Sequence, residues 1–361
     1  MSKQTVLMLE LLRAAVFDRE PVVEVLDNID WDLMMQEAGE QGVLGWVWES
    51  IQKLPKDKQP NRQQRINWGL SAQEIVDHYE KQKELLRYLV NECDKNGMRM
   101  LMFKGLDFAR LYTKPELRKY GDIDCYMFDD YDKFNKLFQP HFDNVTELHS
   151  ELLFGDILVE NHKAFVYPGT IQRKRIENYL CSSLDRVHRT KGGYWNLDPI
   201  AYLVYLTQHA LNHLFIGGHI PMRSLVDFAM WLKNHSSYLP PEDCHVVMSK
   251  LGIENGFEVL LRMSETILDI SFDEYIRGLL SKDYVQFIRD WVGNGYEIIE
   301  LDKIKKGKVL TSLMSLKKIK KYMLKTSWKE RVTQNMVISI KALLGIPTNK
   351  HLRDTLLECR K

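Results

Sequence analysis

The sequence predicts an α+β protein, a small mixed sheet flanked by N- and C-terminal helical regions. Three observations predict it. Apolar residues recur at helical spacing up to about residue 95. Between residues 97 and 167, short apolar runs alternate with turn signals. From Asp198-Pro199 onward the helical period returns. These shifts divide the 361 residues into an N-terminal helical region (1–96), an α+β core (97–195) and a C-terminal helical domain (196–361).

The first region opens with Leu9, Leu12 and Val16 on one helical stripe. Asp30 stands where an N-cap belongs, ahead of a helix carrying Trp31, Leu33, Met34 and Ala38. A longer stripe, Ile75, Tyr79, Leu86, Leu89 and Cys93, stops at Asn96-Gly97. In the core, Met98–Phe103 reads as a buried strand ending at Lys104-Gly105, and Leu106–Tyr112 as a short helix. Asp122–Phe128 alternates like a half-buried strand, and Asp129–Phe138 reads as a helix. Two further runs, around Leu152–Phe154 and Ile157–Val166, flank Gly155-Asp156, a hairpin turn signal. In the last region Asp198 caps a helix with Pro199 at its first position. A Gly217-Gly218 break precedes a helix over Met222–Asn234, and more helices follow.

With 45% hydrophobic and 27% charged residues, the chain has material for a core and is too apolar to be disordered. A net charge of +1 selects no partner, so electrostatic arguments must be local. Five scattered cysteines without a CxxC support neither a zinc ribbon nor a disulfide framework. No stretch approaches the roughly 20 apolar residues of a membrane span. Glu10, Arg13 and Asp18 interrupt the apolar N-terminus, which reads as an amphipathic helix. The expectation is a soluble, cytoplasmic protein.

The chemistry concentrates at Asp122 and Asp124. Residues two apart on a strand share a face, so both carboxylates point one way and repel unless a cation lies between them. All-oxygen ligation of this kind suits Mg2+ or Mn2+. Gly105, at a strand-to-helix junction, lets a phosphate approach backbone N–H groups, and Lys104 adds a positive charge there. Glu160 is a candidate third carboxylate, because the alternation of Ile157–Val166 could bring it beside the aspartates. Glu147 is the alternative. Three carboxylates, a glycine junction and a lysine are the components of metal-assisted phosphoryl chemistry.

The stretch FKGLDFARLY…PELRKYGDIDCYM, with Lys104, Gly105, Tyr112, Arg118, Gly121, Asp122 and Asp124, resembles the uncharacterised bacterial nucleotidyltransferase family. That family is a branch of the DNA polymerase β-like superfamily. Val159, Glu160 and His162 match its later acidic segment, and His209, His213, Arg223 and Asp227 follow in the family's order. The likeness spans roughly residues 30–235. It implies a nucleotidyltransferase-like core that binds a nucleoside triphosphate through Mg2+ or Mn2+. In that reading Asp122, Asp124 and Glu160 form the catalytic and metal-binding set. Lys104, Gly105, Arg118, His213 and Arg223 lie on the nucleotide. Where the wider superfamily has Gly-Ser, this chain has Lys104-Gly105-Leu106, so Lys104 must replace the serine hydroxyl.

The expected activity is transfer of an NMP group to an acceptor hydroxyl. A phosphotransferase, or a nucleotide-binding regulatory module without turnover, would use the same site. The acceptor, whether protein, sugar or another small molecule, is not legible. A basic run from Lys303 to Lys325 lacks the interleaved aromatics of a nucleic-acid surface and reads as a solvated helix. Ala210 between His209 and His213 excludes an HExxH metalloprotease. Arg223 and Asp227, four apart, are expected to form a helix-surface ion pair.

Overall fold

The computed structural model describes residues 3–23, 28–167, 171–213 and 220–277. The Gly217-Gly218 break, the expected helices after residue 277 and the basic run Lys303–Lys325 lie outside the described residues. The architecture is α+β: a mixed sheet with helices flanking it.

Four helices open the chain: α1 (Lys3–Val16), α2 (Trp31–Glu40), α3 (Leu44–Lys53) and α4 (Arg62–Lys95). Asp30 caps α2 by accepting the Leu33 N–H at 3.0 Å. Asn61 and Gln64 close a reciprocal capping box at the start of α4. The core then supplies β1 (Leu101–Met102), β2 (Ile123–Tyr126), α5 (Tyr131–Leu137), β3 (Phe142–Val145), β4 (His149–Phe154) and β5 (Ile157–His162). Helix α6 (Ile171–Ser182) leads to β6 (His188–Arg189) and β7 (Trp195–Asn196). The described part ends with α7 (Pro199–Asn212), α8 (Met222–His235), α9 (Pro241–Leu251) and α10 (Glu254–Leu268). As expected, Asp198 caps α7, accepting from the Ile200 and Ala201 N–H groups.

The seven strands lie in the order β3-β4-β5-β2-β1-β7-β6. Strand β2 runs parallel to β5 and antiparallel to β1, while β4 and β5 form the hairpin turned by Gly155 at φ +66°. Three local expectations change. The Met98–Phe103 run is strand only at Leu101–Met102, because β2 and β7 pair with it only there. The helix expected over Leu106–Tyr112 is a 3-10 helix, Gly105–Leu111. Strands β3, β6 and β7 have no counterpart in the pattern; β6 and β7 are two residues each, too short to show a period.

Alternation along the strands separates two cores. Met102, Ile123, Cys125, Ile157 and Val159 face α4 and α5, packing against Leu86, Leu89 and Phe134. On the other face, Leu101, Phe103 and Phe165 join Tyr205 of α7 and a large core shared by α1, α3, α8 and α10. The two terminal helical regions therefore pack together: Arg13 of α1 donates to the Ile267 and Thr266 carbonyls of α10 at 2.8 and 2.9 Å. Asp124 and Glu160, which alternate with Ile123, Cys125 and Val159, lie on the sheet face that looks toward this helical core.

Candidate functional site

Asp122 immediately precedes β2 and Asp124 lies within it. Strand β2 pairs Asp124 with Glu160 of the parallel β5, so the third carboxylate arrives by register. Oxygens of Asp122, Asp124 and Glu160 all lie within 4.8 Å of one another. Glu147, the other candidate, sits in the β3–β4 turn and is not part of this group. Ile123 and Cys125 point into the opposite core, as strand alternation demands.

Lys104 follows β1 and projects its ammonium into the cluster, 2.9 Å from Asp124 Oδ1 and 3.6 Å from Asp122 Oδ2. Gly105, next in sequence, has φ +68°, a backbone that side chains rarely adopt. From β5, His162 Nε2 lies 3.0 Å from Asp124 Oδ1 and 3.3 Å from Glu160 Oε2. Phe103 holds the His162 ring edge-on at 5.0 Å.

Asp124 is fully buried, and its Oδ2 has no hydrogen-bond partner. Burial opposes its ionisation, but Lys104 and His162 beside it win and hold the carboxyl well below the usual range. Burial also opposes a charged His162, yet hydrogen bonds to Asp124 and Glu160 lift it to about 9. Glu160 moves the other way. Burial, reinforced by the charges of Asp124 and Asp122 against the bond from His162, pushes it up to about 7. Desolvation works against the Lys104 charge, but Asp122 and Asp124 raise its pKa well above the ordinary value.

The other expected site residues are placed elsewhere. Arg118 is buried against Asp227 of α8, its Nε and Nη2 donating to the two carboxylate oxygens at 2.8 and 2.6 Å. Its Nη1 donates to the Lys119 carbonyl at 3.3 Å, so the guanidinium expected on a phosphate is occupied by protein. The Arg223–Asp227 ion pair is not formed. Asp227 faces inward, where Arg118 and the Tyr112 hydroxyl (2.7 Å) claim it. Arg223 instead donates to the Lys119 carbonyl at 2.8 Å. It braces the loop before β2 rather than joining the carboxylate cluster. His213 Nε2 lies 3.0 Å from His209 Nε2, and that pair is also outside the carboxylate group.

Two neighbours were not among the expected site residues: His149, seen in the sequence only as part of the alternative Glu147-Leu148-His149 segment, and Glu151. Counting outward from the Gly155-Asp156 turn would have found them, since it pairs Glu151 with Glu160 and His149 with His162. His149 Nε2 is 3.3 Å from Glu160 Oε1 and 3.4 Å from Glu151 Oε1.

The sequence pattern of the uncharacterised nucleotidyltransferase family matches residues 27–269, a span that contains every residue of this cluster. The chain belongs to that family. Comparison with curated proteins and with solved structures yields no significant match. Membership in that family suggests a transferase and implies a nucleotide substrate. Among the described residues, no helix is long and apolar enough to cross a membrane.

Proposed function

We propose that this nucleotidyltransferase-family chain transfers an NMP group from a nucleoside triphosphate to an acceptor hydroxyl, with Mg2+ or Mn2+ held by Asp122, Asp124 and Glu160. One observation carries the reading. A fully buried aspartate oxygen is left without a partner inside a cluster of three carboxylates. An orphaned buried acceptor costs about 1–3 kcal/mol, more when charged, and a cation removes that cost. The donors are all oxygen, which fits these hard ions. Bound there, the cation supplies charge neutralisation for the triphosphate and a Lewis acid at its phosphoryl oxygens.

The chain's own residues do the rest. Glu160 accepts the proton of the acceptor hydroxyl at a carboxylate oxygen while that hydroxyl oxygen bonds the α-phosphorus. The bond from the α-phosphorus to the β-phosphate oxygen breaks, and pyrophosphate leaves. Lys104, the ammonium already within the cluster, and the Gly105 N–H are assigned to the β- and γ-phosphate oxygens. Arg118 acts indirectly, through its pair with Asp227, by fixing the loop that delivers Asp122.

Calorimetry of each Mg2+-NTP with the wild type and with the double variant Asp122→Asn/Asp124→Asn tests the site. Binding is expected in the first and lost in the second; equal binding overturns the assignment. Incubation with labelled acceptor mixtures then tests the reaction. Pyrophosphate release supports nucleotidyl transfer, a nucleoside diphosphate indicates phosphoryl transfer instead, and binding without turnover indicates a regulatory module.

A further inference from the structure

The carboxylate cluster has a nitrogen-bearing neighbour that nucleotidyl transfer does not use. His149 begins β4, and His162 ends β5 directly opposite it in the antiparallel register. Their rings are 5.0 Å apart, and Glu160 lies between them. One ligand atom each from His149, Glu160 and His162 can be chosen so that all three lie within 4.8 Å of one another.

The spacing is informative. Glu160 Oε1 is 3.3 Å from His149 Nε2, and Glu160 Oε2 is 3.3 Å from His162 Nε2. The two contacts run to different oxygens of Glu160, so the carboxylate straddles the gap between the rings, where an ion held about 2.0–2.1 Å from its donors would take one imidazole from either side. The histidine tautomers also matter. His162 Nδ1 donates to the Ala164 carbonyl at 3.4 Å, which leaves Nε2, now 3.0 Å from Asp124 Oδ1, as the nitrogen that would exchange its proton for a metal ion. His149 Nδ1 has no hydrogen-bond partner, so both of its ring nitrogens are uncommitted to the backbone. Both side chains are nearly buried, at 7% and 4% exposure, on a face shared with Asp122, Asp124 and the Lys104 ammonium. Two imidazoles and one carboxylate form a donor set for a borderline ion such as Zn2+ or Co2+, not for Mg2+.

We infer that His149, Glu160 and His162 form a second metal site, selective for a zinc-like transition ion, which shares Glu160 with the Asp122/Asp124/Glu160 site. Three protein ligands leave one position for water or a substrate oxygen. The inference stands independently of the transfer reaction, because it needs only the histidine–carboxylate geometry.

Visible absorption of the full chain, stripped with chelator and titrated with Co2+, tests it. Saturable d–d bands at one equivalent are expected. Zn2+ should abolish them, and a large excess of Mg2+ should leave them in place. His149→Gln and His162→Gln should each weaken Co2+ affinity by more than about a hundredfold, beyond what loss of an outer partner costs. Spin-echo modulation from coordinated imidazole nitrogen, recorded on Cu2+-loaded wild type, gives a readout that does not depend on any variant folding. Absence of Co2+ bands, their displacement by Mg2+, their survival in both histidine variants, or a nitrogen-free echo spectrum would each overturn the site. Mg2+-NTP binding measured on the wild type alone reports separately on the carboxylate triad, so failure of one site is distinguishable from failure of the other.

Discussion

Among the described residues three aspartates, Asp107, Asp124 and Asp227, are buried, and their surroundings differ. Asp107 accepts from Asn196 Nδ2 at 2.8 Å, the Tyr202 hydroxyl at 2.8 Å, the Tyr194 hydroxyl at 3.1 Å and Arg110 Nε and Nη2. Asp227 is similarly saturated by Arg118 and Tyr112. Each gathers donors from distant segments and ties the sheet to the C-terminal helices. Asp124 is as deeply buried, yet one of its oxygens is unsatisfied, and two other carboxylates crowd it. A buried carboxylate built for stability collects donors. Asp124 has Lys104 and His162 on one oxygen and nothing on the other, and that open oxygen among other acids is where the proposed cation would bind.

Substitutions can break or sharpen this contrast. The largest effect is expected from Asp227→Asn, which leaves the Arg118 guanidinium buried without its counter-charge. A loss of about 3–5 kcal/mol is expected from denaturant unfolding, the cost of breaking a buried ion pair. Asp124→Asn should reverse the pattern. Activity should fall on the order of a thousandfold, about 4 kcal/mol in transition-state terms, while stability falls by less than in Asp227→Asn. Mg2+-NTP should raise the melting temperature of the wild type and not that of this variant. If Asp124→Asn instead unfolds the protein and leaves nucleotide binding intact, the two aspartates are equivalent and the contrast fails.

Asp107→Asn comes next. It weakens hydrogen bonds to a charged acceptor and should cost about 1.5–3 kcal/mol, with Mg2+-NTP affinity unchanged in the folded protein. A further expected effect is on pH dependence without metal. His162 titrates near 9 in the folded protein, above its unfolded value of about 6.5. Its contribution is fully present below the unfolded value and is lost as pH rises through about 9. Denaturation midpoints should therefore decline across that window, and His162→Gln should flatten the decline.

Several features were legible in the sequence because their cause is local. Asp30 and Asp198 are caps whose bonds reach only two or three residues along the chain. The Gly155-Asp156 turn is likewise local, and it sets the β4–β5 register. Arg223 and Asp227 misled for the complementary reason: four-residue spacing predicts neighbours on one helix, but burial chose a partner 109 positions away. Strands β6 and β7 left no periodic trace, since two residues cannot display a period.

By itself the amino-acid order determined that Asp122 and Asp124 share a face, because strand alternation is a property of the backbone alone. It also offered Glu160 as a candidate third carboxylate on a strand of its own and placed a flexible glycine after Lys104. Only the tertiary structure decided that Lys104 and His162 converge on Asp124, that Glu160 rather than Glu147 completes the triad, and that Arg118 is spent on Asp227. Those outcomes depend on which strands pair and in which register, and on which charges lose their water together. Such contacts are set by packing across the whole sheet, and no window of sequence contains them.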